Sequence, residues 1–164
     1  MKPPLKFNRA GSLSLLLLSA LFIFPFSANG GAQSLCVQLK PDTGDERSVP
    51  VSLGSKLRLS FLHSIYGSRI DEVFSVIPDG FRLTQLRYSE ARLAEFYGHE
   101  FASHINDAWV VTPAPVFLSS LNLRSSGAAM SLHFDQSPNV KQVMIPPGGA
   151  LRLTVASCDR NAND

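Results

Sequence analysis

The sequence predicts a mainly β protein: a single-domain antiparallel β-sandwich, or a barrel-like sandwich, with one short helix. Three observations predict it. Apolar and polar residues alternate with period two over many short runs, the pattern of strands buried on one face. Clusters of turn-forming residues separate those runs at spacings that suit a sandwich or a barrel. Once an N-terminal leader is set aside, about 130 of the 164 residues remain, enough for one hydrophobic core and too few for two comfortable domains.

The leader comes first. Lys2, Lys6 and Arg9 precede an apolar run from Leu13 to Phe24, and the small-residue stretch Ser27 to Ala32 follows. This is the grammar of a signal peptide over residues 1–32, and the apolar run is shorter than the roughly 20 residues a spanning helix needs. Ala28 with Gly30, or Gly30 with Ala32, suits a signal peptidase. Leu35 stands before Cys36 where a lipobox wants a small residue, and no twin-arginine pair is present. A periplasmic or secreted protein is expected, touching the membrane only through a partner or an uncleaved leader.

The leader also carries the apparent basicity. It holds three of the 15 basic residues and none of the 13 acidic ones, leaving 12 against 13, a net charge of −1. With no basic patch, nucleic-acid binding loses its electrostatic footprint.

The expected domain spans residues 33–160, with 161–164 as a polar tail. Cys36 lies in its first strand-like segment and Cys158 in its last, so a disulfide tying the two ends is expected in an oxidising compartment. A turn at Thr43–Asp45 follows. Leu57, Leu59 and Phe61 then alternate with Lys56, Arg58 and Ser60, and a return strand beyond Gly67 carries Asp71 and Glu72. After a turn at Pro78–Gly80, Phe81 and Leu83 continue the pattern. Ser89 to Gly98 reads as the helix, with Ser89 as N-cap and Gly98 as terminator. Alternation resumes at Leu121 and Leu123, at Met130, Leu132 and Phe134, and at Leu151, Leu153 and Val155, with turns at Ser125–Gly127, Ser137–Asn139 and Pro146–Gly149.

Two segments concentrate chemistry. The first, FLHSIYGSRIDEVF (61–74), sets His63, Tyr66, Arg69 and Glu72 between apolar runs. Alternation puts His63 on the core face, where a buried imidazole needs a partner, and Glu72 or Asp71 across the hairpin is the expected one. Ser64 points to the opposite face from His63 and makes a poor catalytic dyad with it. Arg69 suits a carboxylate or phosphate, or a surface ion pair. The second segment, RYSEARLAEFYGHE (87–100), adds Arg87, Tyr97 and His99, and is expected to close over the first. Glu95, His99 and His104 are too dispersed by Gly98 to make a zinc site, so no metal or other cofactor is expected. His63 and Glu72 are the candidates for acid–base chemistry, although no complete triad or phosphate loop surrounds them.

HSIYGSRIDEVF, together with DGFRLTQLRYSEARLAEFYGHE and the strand-rich remainder, resembles the bacterial family known as domain of unknown function 1850, over most of residues 55–157. The His63–Ser64 pair, the acidic step ending at Glu72 and the Phe96–Gly98 segment carry the likeness. The resemblance implies no established activity. It implies association with tripartite ATP-independent periplasmic transporters of the TAXI type, so that the permease or its solute-binding protein is the expected partner; the guanidinium of Arg69 adds a small anionic ligand as a further one. A small binding or accessory module follows, with His63, Tyr66, Arg69 and Glu72 lining a polar recess that Arg87, Tyr97 and His99 complete. The alternative is a small periplasmic enzyme in which Glu72 orients His63 as general base on a carboxylated substrate.

Overall fold

In the computed structural model, residues 34–137 and 139–158 are described. The expected signal peptide and polar tail lie outside the described residues. Alternating runs become strands in two antiparallel sheets. The smaller sheet places β1 (Leu35–Pro41) between β2 (Arg47–Val51) and the long C-terminal strand (Ala150–Ser157), whose far side pairs with the strand Ser120–Arg124. The larger sheet is built on β3 (Lys56–Leu62), β4 (Arg69–Ile77) and β5 (Gly80–Tyr88), joined by tight connections. The helix α1 (Ala91–Phe96) follows β5, and then come β6 (Ser103–Ile105), β7 (Ala108–Val111) and β8 (Val116–Leu118).

The strand Ser120–Arg124 is thus β9. After it, β10 (Met130–Phe134) and β11 (Gln142–Ile145) extend the large sheet beyond β3, and the C-terminal strand is β12. The large sheet runs β11-β10-β3-β4-β5-β7-β6, with β8 alongside the first half of β5. Only Ser119 separates β8 from β9, so the chain crosses there from one sheet to the other. The sheets do not close into a barrel.

Alternation decides what fills the space between the sheets. Leu57, Leu59, Phe74, Val76 and Phe81 of the large sheet meet Val37, Leu39, Leu121, Leu123, Leu151 and Leu153 of the small one, all buried in one cluster. Each such side chain contributes about 1.5–3 kcal/mol on burial. The small sheet does not cover the whole inner face of its partner. Toward the β3–β4 connection the covering is done by α1, whose Leu93 and Ala94 pack with Ile70 and Tyr88 in a second cluster. Phe61 touches both clusters.

One irregularity re-aims side chains that the sequence pattern misplaces. Val73 pairs with Gln85 but Phe74 with Leu83, so Thr84 is an extra residue in β5, and its hydroxyl donates to the Val73 carbonyl at 2.9 Å. Without this bulge, the face that takes Phe81 and Leu83 would also take Gln85 and Arg87. With it, Leu86 and Tyr88 turn inward and Arg87 turns outward.

Cys36 and Cys158 form the expected disulfide, with Cα atoms 5.0 Å apart. It closes the β1–β12 pair at the end where β1 begins and β12 finishes. A disulfide is compatible with an extracellular or periplasmic location. Among the described residues, no helix is long and apolar enough to cross a membrane.

The helix differs from expectation at its start. Ser89 does not cap it. Its N–H still bonds the Arg69 carbonyl at 3.0 Å, prolonging the β4–β5 ladder, and Glu90 occupies the N-cap position without a side-chain cap bond. The end is as expected: Gly98 takes φ +73°, and His99 and Gly98 donate to the carbonyls of Ala94 and Glu95, closing the helix in a Schellman arrangement.

Candidate functional site

The β3–β4 connection is a loop held shut by its own backbone. His63 N–H bonds the Ser68 carbonyl at 2.9 Å, and Gly67 N–H bonds the His63 carbonyl at 2.8 Å, with Gly67 at φ +67°. His63 keeps the inward direction of β3 and is only 7% exposed. Its partner is neither carboxylate expected for it. The backbone N–H groups of Ile65 and Tyr66 approach Nδ1 at 3.4 and 3.3 Å, so Nδ1 serves as acceptor and the neutral ring carries its proton on Nε2.

The reason the expected pairing fails is register. Glu72 stands opposite Leu59, four residues before His63 in sequence, which is about 13 Å along a strand. Glu72 lies instead on the inner face between Leu59 and Leu86, where burial pushes its carboxyl pKa up. Asp71, one residue earlier, faces the other way.

Aromatic rings surround the imidazole. Tyr66 stacks on it at 5.1 Å, Phe96 meets it edge-on at 5.0 Å and Tyr97 edge-on at 5.8 Å. Tyr97 also stacks on buried Tyr88, which His99 approaches at 5.8 Å. Burial, then the neighbouring Tyr97 and Glu72, push the Tyr88 hydroxyl pKa up to about 12.

Polar contacts bind the loop to the helix. The Ser68 hydroxyl donates to the Glu90 carboxylate, Glu90 pairs with Arg92, and Arg92 Nη2 donates to the Ser68 oxygen at 3.4 Å. The Arg92 guanidinium lies over the Tyr66 ring, 4.7 Å from its centre. The hydrogen bond from Ser68, followed by that from Arg92, holds the Glu90 carboxyl below its ordinary range.

The second segment therefore closes over the first, but the predicted set is divided. His63, Tyr66 and Tyr97 come together, and His99 reaches them only through Tyr88. Arg69 and Arg87 lie on the opposite face of the sheet, flanking buried Asp71, whose Oδ1 stands 3.5 Å from Arg69 Nε. Arg69 is thus the ion-pair partner of a neighbour. No recess contains both it and Glu72, a correction that follows from the alternation of β4 itself. Among the described residues, no three His, Cys, Asp or Glu side chains converge as metal ligands. His99 instead borders a groove of about 520 Å³ with Gln85, Glu100 and Val111.

Sequence reasoning missed Tyr88 and Glu90 as members of this site. The clue to Tyr88 was the broken alternation between Leu83 and Leu86, which announces the bulge. No family model, curated protein or solved structure matches the chain.

Proposed function

We propose that this chain is a small extracytoplasmic binding module that docks a protein partner through the knob formed by loop 63–68 and the end of α1. One observation carries the reading. Around buried His63, the knob exposes Ile65 (70%), Phe96 (51%) and Tyr97 (46%) on a backbone fixed by the loop hydrogen bonds and the Schellman turn. Rigid aromatic side chains that stay exposed are the usual anchors of protein interfaces, because they offer large contact area at low cost in conformational entropy. The resemblance to domain of unknown function 1850 supports a TAXI-type transporter permease or its solute-binding protein as that partner, and the expected leader and the disulfide suit a periplasmic meeting place.

The acid–base alternative draws less support. It needs Glu72 to orient His63, and Nδ1 is already engaged by backbone N–H groups.

The test is capture from crosslinked native envelopes with the tagged protein, an Ile65→Asp/Phe96→Asp variant and an Arg69→Ala variant. A transporter component recovered with the wild type and with Arg69→Ala, and lost with the double variant, is the expected result. Equal recovery with the double variant sinks the docking surface.

A further inference from the structure

We propose that the groove between the β3–β4 loop and the β9–β10 turn binds a small organic carboxylate bearing a short apolar tail. The groove has a volume of about 470 Å³. One part of its wall is polar and exposed, without protein partners among the described residues. Arg124 is exposed and makes no ion pair among the described residues, and no acidic residue lines the groove. The backbone N–H groups of Ser126 and Gly127, in the turn beside it, form no hydrogen bond among the described residues, nor does the Ser64 hydroxyl.

His63 supplies an independent pointer. It is more than nine-tenths buried and lines this groove, and its Nδ1 is occupied by the loop backbone. Nε2, which then carries the proton, has no partner among the described residues. An N–H donor left without a protein acceptor can serve an oxyanion in the groove.

The rest of the wall selects among anions. Phe61, Leu62 and Met130 are apolar and line the same groove. A single guanidinium fork matches the planar, singly charged carboxylate, and the apolar wall gives a hydrocarbon tail somewhere to leave water. Inorganic phosphate, with more charge and no tail, would use only half of the site. This site shares His63, Ser64 and Gly67 with the loop of the partner-docking knob, but Arg124 lies outside the knob, so Arg124 variants test it without disturbing Ile65 or Phe96.

The experiment is amide-resolved NMR titration of the purified protein with hexanoate, acetate, hexan-1-ol and inorganic phosphate. Hexanoate should give saturable shifts at Ser64, Ser126 and Gly127, with acetate and hexan-1-ol at least about tenfold weaker because each lacks one half of the ligand. Arg124→Gln should weaken hexanoate about tenfold or more at unchanged Tm, and Ser126→Asp should abolish binding by putting a negative charge in the groove. The absence of saturable hexanoate shifts at these amides, or unchanged affinity in either variant, overturns the site. Phosphate binding as tightly as hexanoate overturns the assignment to a tailed carboxylate.

Discussion

A carboxylate at position 72 stands on the apolar face of a sheet, between Leu59 and Leu86, with Tyr88 close enough to feel its charge. Burial raises its pKa above the ordinary 4.5, so the fold penalises the ionised form. The stability associated with this residue is complete below about pH 4.5, where it is protonated folded or unfolded, and is lost as pH rises through the folded-state pKa. Glu72→Gln removes the penalty. It should raise Tm by about 2–4 °C at pH 7.5 and leave it unchanged at pH 4, measured by calorimetry at both. A gain of equal size at both pH values would place the effect in packing rather than charge. Arg69 and Asp71 show how little residue type says about neighbourhood: they were legible as a polar cluster with Glu72, yet alternation sends Asp71 and Glu72 to opposite faces.

Elements report a second kind of constraint, in which backbone rather than side chain decides. Gly80 begins β5 at φ +145°, and a Cβ there would stand 2.1 Å from the Leu118 carbonyl oxygen of β8. Gly80→Ala must push β8 off β5, next to the point where the chain crosses between sheets. A loss of about 2–4 kcal/mol is expected by urea denaturation, with amide exchange accelerated first at 116–118. Wild-type stability would mean that β8 contributes nothing to the sandwich. Most strands of five or more residues with a buried face were readable from the sequence, as at Leu57–Phe61 and Leu151–Val155, though β2, with buried Val49, was not. Those without one were not: Ser103–Ile105 is exposed along its length, and β8 is three residues long. Their one clear signal was local. Asn106 and Asp107 take φ +47° and +57°, the paired positive values of a tight hairpin turn, and Asn and Asp are residues that tolerate it.

For the molecule as a whole, the first and last strands are neighbours at the centre of the small sheet, and the disulfide spans a separation of 122 residues. In the chain-entropy picture, a closure that long stabilises by up to about 4–5 kcal/mol through the unfolded state. Reduction should therefore lower the urea midpoint strongly, with the β1–β12 amides losing exchange protection before those of β3–β5. An unchanged midpoint after reduction would show that the β1–β12 ladder alone holds the ends. The two clusters on the inner face of the large sheet also divide labour. One joins the sheets, and the other seats α1 and the knob, with Phe61 between them.

The sequence by itself determined the β class, most of the long strands, and the helix with its glycine stop, and it made a bond between Cys36 and Cys158 the expectation that the 5.0 Å approach of their Cα atoms then decided. These follow from periodicity, turn chemistry and cysteine count, which are local or compositional properties. Only the tertiary structure decided which polar residues share a place. A one-residue bulge at Thr84 turned Arg87 outward, the β3–β4 register separated Glu72 from His63, and the β9–β10 turn brought Arg124 to a groove beside a loop some 60 residues earlier in the chain. Register and bulges depend on how whole strands satisfy each other's hydrogen bonds and apolar faces, and no window of sequence contains both partners.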